Sequence, residues 1–373
     1  TAAENGAGVA VIETLSTYQT RGQDIGTVNS SYQKANGLEA SEEDINQMCL
    51  ALQRYSGNRT DQRIYRVWGQ RSGADFDWWY QTMLEPKGYG IEIPRWPMEV
   101  EYDPVDGEWF PQFCNQQEFT VPEGQEAGMN GGFPGAVGEL EAYAKEHGAE
   151  FFYEHRGRQL VRGSNPNGTE GRVTGVIAKG DEGYVQINAA KGVILATGGY
   201  DANPEMMEAW VRPEDYASSS WWNPGWGTTG DGHMMGLAAG AQMDSLPQPV
   251  MNFRWGNPDS FYDARVWTPI WLAINVNAQG KRYVNEALPF QAVSNAQNAQ
   301  PGFGANCWQI FDDGMLGASD EEVAAAKAAL EEFEQKGWAF SASSPRELAA
   351  ACGIDADGLE QTIATYNEYY ANK

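Results

Sequence analysis

The chain has 373 residues, of which 42% are hydrophobic and 12% aromatic, and its 51 acidic against 25 basic residues give a net charge of −26. This length allows two domains with sizeable cores. The negative charge, uninterrupted by any Lys/Arg cluster, repels phosphate backbones and argues against nucleic acid as a partner. We interpret the charge as a solvated acidic surface, with steering of a cationic partner as the alternative.

Cysteine and histidine give no basis for a metal centre. The four cysteines form no Cys-x-x-Cys pair, and the chain has three histidines. We therefore expect no zinc knuckle and no covalently bound haem. No run of eighteen apolar residues occurs, which predicts no membrane-spanning segment, and no charged-then-apolar leader stands at Thr1. An export signal that has been removed stays an open alternative.

The first predicted element is a buried strand over residues 8–13 that ends in Glu13. In a dinucleotide-binding fold, an acid at the end of the second strand hydrogen-bonds the adenosine ribose. Glu13 is therefore our candidate ribose ligand, and a surface glutamate at a strand end is the alternative. Gly6-Ala7-Gly8 precedes this strand instead of following one, so it is a turn and not the Gly-x-Gly-x-x-Gly fingerprint. We expect the chain to begin inside the first helix of the nucleotide-binding unit, after its phosphate loop.

Capping and periodicity predict the next elements. Ser41 begins a helix with apolar residues at helical spacing, which Gly57 ends, and a hairpin is predicted around the turn at residues 180–183. The remaining predictions, in chain order, are a helix at 75–84, short strands and loops at 86–119, a helix from Val137 to Gly148, a strand at 149–155, a strand at 270–276, and helices at 319–337, 344–353 and 359–370.

Two glycine-rich stretches carry the strongest signal. Residues 192–200 predict a short buried strand that breaks into the pair Gly198-Gly199, and residues 227–232 predict a glycine turn that opens a helix. Paired glycines let the backbone approach a ligand closely, and the N-terminus of a helix offers N–H groups to an anion. Together the two stretches point to a bound flavin nucleotide.

These stretches also carry a resemblance. Ala196-Thr197-Gly198-Gly199-Tyr200, the helix start Asn203-Pro204, the turn Thr229-Gly230-Asp231-Gly232 and the later run from Gly280 to Glu286 resemble the flavoprotein family of fumarate reductase, urocanate reductase and 3-ketosteroid dehydrogenases. The motifs occur in the same order over nearly the whole chain. The resemblance implies an FAD cofactor and an α/β fold, with a Rossmann-like FAD-binding domain and its β-hairpin sheet, and an α+β capping domain. We place the former at residues 1–250, lacking the first strand and glycine fingerprint, and the latter at 251–373, lacking the C-terminal return.

The resemblance also implies which residues contact the cofactor. Besides Glu13 on the ribose, the dinucleotide ligands would be Ala196, Thr197, Gly198, Thr229, Gly230 and Asp231. Asn29 and Ser30 lie on the loop that in the family passes near the flavin ring and pyrophosphate, although this loop lacks the usual paired glycines. His233 follows the turn, and we expect a neutral histidine with a structural hydrogen bond, with a catalytic role as the alternative.

In family members that reduce a carbon–carbon double bond, hydride passes from flavin N5 while an arginine on the cap protonates the neighbouring carbon. The match places that arginine at Phe290. The positions of the family's proton relay and substrate histidine are also not kept, so fumarate is not the expected substrate. The ketosteroid dehydrogenases have a tyrosine as acid or base here, and Phe290 would be that tyrosine without its hydroxyl. Arg265 or Tyr262 is the candidate proton carrier, and a solvated arginine and a packed tyrosine are the alternative.

The cap entrance is rich in aromatic residues, among them Trp267, Trp271 and Phe290, which we assign to substrate binding. Large flat rings suit a planar apolar substrate, and core packing is the alternative. We expect an FAD-dependent oxidoreductase that reduces a carbon–carbon double bond of an unsaturated, aromatic or polycyclic, organic acceptor. Desaturation of a ketosteroid-like ring is one alternative, and a non-catalytic piece of a split flavoprotein is another. Bacterial relatives of this kind often work outside the cytoplasmic membrane with a haem or flavin protein as electron donor, which stays an analogy here.

Overall fold

The chain folds into two compact units, and each is described by itself. The first comprises Thr1–Gly168 with Arg172–Val193, and the second comprises Thr169–Gly171 with Ile194–Lys373. The computed structural model describes residues 1–20, 22, 24–93, 116–128, 131–163, 170–218, 227–248, 273–286, 288, 290–302, 306–317 and 319–372. The domain boundary predicted at residue 250 lies outside these residues and stays a prediction.

The first unit combines three small sheets with four helices in its described residues. Its strands are β1 (Ala10–Ile12), β2 (Ile25–Gly26), β3 (Gly90–Glu92), β4 (Gln116–Thr120), β5 (Glu150–Phe152), β6 (Arg156–Arg162), β7 (Val173–Gly180) and β8 (Gly183–Asn188). Its helices are α1 (Ser31–Ala35), α2 (Glu42–Tyr55), α3 (Gln62–Trp79) and α4 (Phe133–Glu146), and a π-helical turn, Tyr80–Leu84, continues α3.

Strand pairing in the first unit is mixed. β1 and β5 are parallel, with Ala10 opposite Glu150, whereas β2–β4–β3 and β6–β7–β8 are antiparallel. The hairpin predicted around residues 180–183 is confirmed, because β7 and β8 pair up to Gly180 opposite Gly183. β6, which completes this sheet, was not among the predicted strands. The predicted strand at residues 8–13 is present as β1, but it is only partly buried.

The helices of the first unit begin where side chains cap them. The Ser41 hydroxyl accepts a hydrogen bond from the Asp44 N–H, and the Ser41 N–H donates to the Asp44 carboxylate. The two bonds form a complete capping box. Along α2, Ile45, Met48 and Cys49 are buried at the spacing that the sequence predicts. The helix predicted at 75–84 is longer than expected, since it begins after Asp61. Its last turns contribute to the largest core of the unit, with Phe76, Met83, Leu84, Tyr89, Phe119 and Ala136.

The second unit is mostly helical in its described residues. Its strands are β9 (Ile274–Val276) and β10 (Trp308–Ile310), which are antiparallel. Its helices are α5 (Pro204–Trp210), α6 (Pro213–Ser218), α7 (Asp231–Ala238), α8 (Phe290–Asn298), α9 (Asp320–Gln335), α10 (Pro345–Cys352) and α11 (Ala356–Ala371). Its core contains Val276, Ile310, Ala349, Ile354 and Leu359. The three helices predicted after residue 319 are confirmed, and serines cap the first two of them.

The strand predicted within residues 192–200 is wrong. These residues form no sheet with any part of the chain that the structure describes, and Ile194 is 88% exposed. An apolar run forms a strand only where a neighbouring strand takes its backbone hydrogen bonds and covers its side chains. The segment is instead an extended loop held by side-chain and turn contacts.

Three further findings concern the described residues alone. No helix among them is both long and apolar enough to cross a membrane. They contain no group of three or more acidic, histidine or cysteine side chains arranged to hold a metal ion. Cys49, Cys307 and Cys352 are free thiols.

Candidate functional site

The structure brings the two glycine-rich stretches together within the second unit. The Gly230 N–H donates to the Gly199 carbonyl at 3.1 Å, and the Ala202 N–H donates to the Thr228 carbonyl at 3.0 Å. A Cβ on Gly232 would lie 1.9 Å from Thr197 Oγ1, so the Thr197 side chain rests directly on this glycine. The loop and the turn therefore form one backbone-lined feature, which we call the glycine cradle (residues 196–202 and 227–232).

Asn203 links both halves of the glycine cradle. Its side-chain oxygen accepts from the Met206 N–H at 3.1 Å and so caps α5, while its amide nitrogen donates to the Thr229 carbonyl at 3.1 Å. Gly230 has φ +78°, and a Cβ there would lie 2.3 Å from Met206 Sδ. The left-handed backbone conformation favours glycine at this position, and a side chain there would also displace the end of the Met206 side chain.

Asp231 and Thr229 supply the polar side chains of the glycine cradle. Thr229 Oγ1 donates to Asp231 Oδ2 at 3.0 Å, which orients the carboxylate at the first position of α7. The first turn of a helix also presents N–H groups that have no partner inside the helix. A hydroxyl-rich ligand can donate to the carboxylate, and an electron-rich atom can accept from the N–H groups.

His233 lies in the first turn of α7 in an aromatic setting. Its ring packs edge-on against the Tyr200 ring, with the ring centroids 5.3 Å apart. The centroid of the Trp210 ring lies 6.1 Å from that of His233. His233 Nδ1 is buried and has no hydrogen-bond partner among the described residues. The structural hydrogen bond that we expected for this histidine is therefore not present at Nδ1, where ring packing replaces it.

In the first unit, Glu13 stands directly after β1, as the sequence predicts. Its carboxylate accepts from the Leu15 N–H at 2.9 Å, and its backbone bonds to Phe152 and His155. The carboxylate therefore closes the turn after the strand. It has further acceptor positions, since a carboxylate accepts about four hydrogen bonds.

Asn29 and Ser30 use their side chains to build the loop itself. Asn29 has φ +63° and exchanges two hydrogen bonds with the backbone of Ala40, at 2.7 and 2.8 Å. Ser30 is fully buried, caps α1 and donates to Gln117 Oε1 at 2.8 Å. Ser30 could contact a cofactor only through its backbone, because its side chain is buried and bonded within the fold. No local pattern could indicate the partner Gln117, because it lies 87 residues away in the chain.

Arg265, Tyr262, Trp267 and Trp271 lie outside the described residues. Phe290 is the first residue of α8, a helix that charged and amide side chains connect to the start of α6. Arg212 pairs with the fully buried Asp215 at 2.6 Å, and Arg212 and Asp215 contact Asn295 and Asn298 on α8. These contacts hold the second half of α8 against the start of α6.

The segment before α8 is fixed by Glu286. The buried Glu286 carboxylate accepts from the Asn275 N–H at 2.9 Å, within β9, and from Arg282 Nε at 2.9 Å. Hydrogen bonding to this carboxylate raises the pKa of Arg282 above its ordinary value, so the guanidinium stays charged. Glu286 thus connects the end of the Gly280–Glu286 run back to β9 and to Arg282.

The second-unit residues suit a flavin nucleotide. A flat, hydroxyl-bearing group needs bare backbone for close approach, a carboxylate for its hydroxyls and N–H donors for its electron-rich atoms. The glycine cradle offers all three, and His233 Nδ1 is a buried polar atom still without a partner. The flavin nucleotide would contact the backbone of Ala196, Thr197 and Gly198 and the side chain of Asp231.

Comparison with known proteins also indicates a flavin nucleotide as the ligand. One curated relative is a 4-oxocyclohex-2-ene-1-carboxylate 5-dehydrogenase of Sinomonas cyclohexanicum, 31% identical over 54% of this chain and 35% of its own. Another is a probable fumarate reductase of Shewanella frigidimarina, 29% identical over 64% of this chain and 37% of its own. The chain therefore spans about a third of the length of these relatives.

Among solved structures, a 3-ketosteroid Δ4-(5α)-dehydrogenase from Rhodococcus jostii superposes with a TM-score of 0.66 at 22% identity, covering 100% of this chain and 74% of that one. This likeness confirms the α/β flavoprotein fold. A family model described as an FAD binding domain matches residues 1–373. The chain belongs to this FAD-binding family, as its glycine motifs indicate, and FAD is its cofactor.

Proposed function

We propose that this chain is the FAD-binding and capping part of an oxidoreductase that reduces a carbon–carbon double bond of an unsaturated, aromatic or polycyclic, organic acceptor. The observation that carries this proposal is the packing of Thr197 and Gly199 on the Gly230–Gly232 turn. The bound flavin would supply the hydride. The names of the relatives, an oxocyclohexene carboxylate dehydrogenase and a fumarate reductase, support an acceptor with an activated double bond.

The proposed cofactor roles are supported by the family motifs and by the contacts of each residue. Asp231, oriented by Thr229, would accept from flavin hydroxyls, and Ala196 to Gly198 would line the dinucleotide with backbone. Gly230 would let that backbone approach, because its left-handed conformation turns the chain into α7. Glu13 would hold the ribose, and the backbone at Asn29 and Ser30 would face the flavin.

The proposed substrate-binding residues include Phe290, at the start of α8. Phe290 carries no ionisable group, so it can bind a ring but cannot move a proton. We assign Phe290, Trp267 and Trp271 to the substrate wall, and Arg265 or Tyr262 to proton delivery. A planar acceptor among such rings would bury apolar surface and stack on the rings, and both effects would favour its binding.

Desaturation of a ketosteroid-like ring is the second candidate. It is favoured by relatives named as 3-oxosteroid 1-dehydrogenases, one of them from Mycobacterium tuberculosis, 26% identical over 49% of this chain and 34% of its own. It is disfavoured by Phe290, which lacks the hydroxyl of the family's tyrosine. An electron partner, a haem or flavin protein, belongs to either proposal.

The test is visible spectroscopy of the purified chain. We expect flavin absorption that dithionite bleaches and that returns on addition of one class among α,β-unsaturated acids and enones. Recovery with an enone or enoate supports the reductase, whereas recovery only with an artificial acceptor, together with desaturation of a keto ring, supports the second candidate. A folded chain without flavin bands after incubation with FAD would contradict both and favour a non-catalytic component.

A further inference from the structure

A groove with a volume of about 530 Å³ lies within the second unit, between the 281–285 segment and α11. Lys281, Arg282 and Asn285 line one side of it, and Thr365, Tyr366 and Tyr369 line the other. This volume falls in the range of small-molecule sites. None of these residues is assigned above to FAD or to the acceptor.

Two cationic side chains, Lys281 and Arg282, line the groove, on a chain whose net charge is −26. Lys281 is exposed and makes no ion pair with any residue that the structure describes. Arg282 donates to Glu286 through Nε and Nη2, and its guanidinium lies 5.1 Å from the centroid of the Tyr366 ring. Arg282 is thus held in place as part of the wall, and Lys281 is the cation available to a ligand.

The opposite wall is aromatic. Tyr366 and Tyr369 are three residues apart on α11 and so lie on the same face of the helix. Tyr369 is 63% exposed, although it is a large ring on a helix that packs into a core. Solvent-exposed rings beside an unpaired ammonium suit a ligand that combines a flat apolar body with a negative group.

We propose that this groove binds a small aromatic carboxylate, with the carboxylate on Lys281 and the ring against Tyr369. The Thr365 hydroxyl donates to the Gln361 carbonyl and accepts from Gln361 Nε2, which leaves one acceptor position for a ring hydroxyl. The proposal goes beyond the proposed function, because it requires neither flavin nor turnover.

The probe is 4-fluorobenzoate, followed by fluorine NMR in a titration of the full chain, with the neutral 4-fluorobenzamide for comparison. We expect saturable line broadening with the acid and at least about fivefold weaker binding of the amide. Lys281→Gln and Tyr369→Leu should each weaken binding of the acid by about threefold to tenfold. The matched controls Lys191→Gln and Tyr184→Leu, both at exposed positions on the first unit, should leave it unchanged.

The absence of saturable binding would overturn the proposal, and so would binding that neither groove variant weakens. Both groove side chains are exposed, so folding should survive, and circular dichroism checks this. If one variant fails to fold, the other decides. Since 4-fluorobenzoate has no double bond for the proposed reduction, this outcome is independent of the flavin assay.

Discussion

The side chain of Thr197 occupies the space that a side chain at Gly232 would need. A Cβ on Gly232 would lie 1.9 Å from Thr197 Oγ1 and 3.0 Å from Thr197 Cβ. The loop at residues 196–202 is therefore seated on the first turn of α7 by a contact that only glycine allows. This contact joins two motifs that lie about thirty residues apart in the sequence.

We expect Gly232→Ala to lower the free energy of unfolding by about 1–3 kcal/mol, because the added methyl overpacks this contact. In a Thr197→Ala background the same substitution should cost clearly less, because the contact with Oγ1 is gone while the contact with the Cβ of residue 197 at 3.0 Å stays. Denaturant unfolding of the four proteins measures the coupling. An equal cost in both backgrounds would show that Thr197 does not seat the loop.

Local signals in the sequence predicted the parts of the fold that depend on neighbours in the chain. The capped helices that follow Ser41, Ser319 and Ser344 and the hairpin at 180–183 are of this kind. The strand predicted within residues 192–200 is absent because a strand requires a partner, which no local pattern specifies. Likewise, the role of Ser30 depends on distant Gln117, so its side chain could not be recognised as part of the fold.

Two left-handed glycines allow a controlled test of crowding. A Cβ on Gly280, at φ +66°, would lie 2.3 Å from the Leu359 backbone nitrogen, whereas a Cβ on Gly353, at φ +71°, meets nothing within 4 Å. Gly353→Ala should cost about 1 kcal/mol for its backbone conformation alone. Gly280→Ala should cost about 3 kcal/mol or more, because the backbone it meets cannot move aside. Similar costs in thermal or denaturant unfolding would contradict the packing of Gly280 on α11.

The capping box of α2 predicts a dependence on pH. The Ser41 hydroxyl and N–H donate to the Asp44 carboxylate, each at 2.7 Å, and lower the pKa of Asp44 below its ordinary value of 3.8. Because the folded-state pKa is the lower one, the stabilisation is present above pH 3.8 and is lost as pH falls below it. Ser41→Ala should raise the pKa of Asp44 toward 3.8 in a carbon NMR titration and cost about 1 kcal/mol at neutral pH. Ser56→Ala, at the other end of α2, should leave this pKa unchanged.

Asp231 provides the test of the cofactor role. Asp231→Ala should weaken FAD binding by about tenfold to a hundredfold, because it removes a charged acceptor for flavin hydroxyls. The control is Asp244→Ala, an exposed aspartate in the same unit. FAD affinity is measured by flavin fluorescence on titration of the apoprotein, so the assay needs no substrate. Equal affinity of both variants would remove Asp231 from the site.

Substitutions of Phe290, at the start of α8, distinguish a role in substrate binding from a role in proton transfer. If its ring forms part of the substrate wall, Phe290→Ala should raise the KM for the acceptor by about tenfold and change the melting temperature little. Phe340→Ala is the matched control, since the Phe340 ring packs on Trp308 and has no assigned substrate role. Phe290→Tyr adds the hydroxyl of the family's ketosteroid dehydrogenases and should raise desaturation of a keto ring by about tenfold or more, because it adds a proton carrier. If Phe290→Ala lowered the melting temperature strongly and left KM unchanged, Phe290 would be a core residue, and the absence of a hydroxyl at this position would not bear on the chemistry.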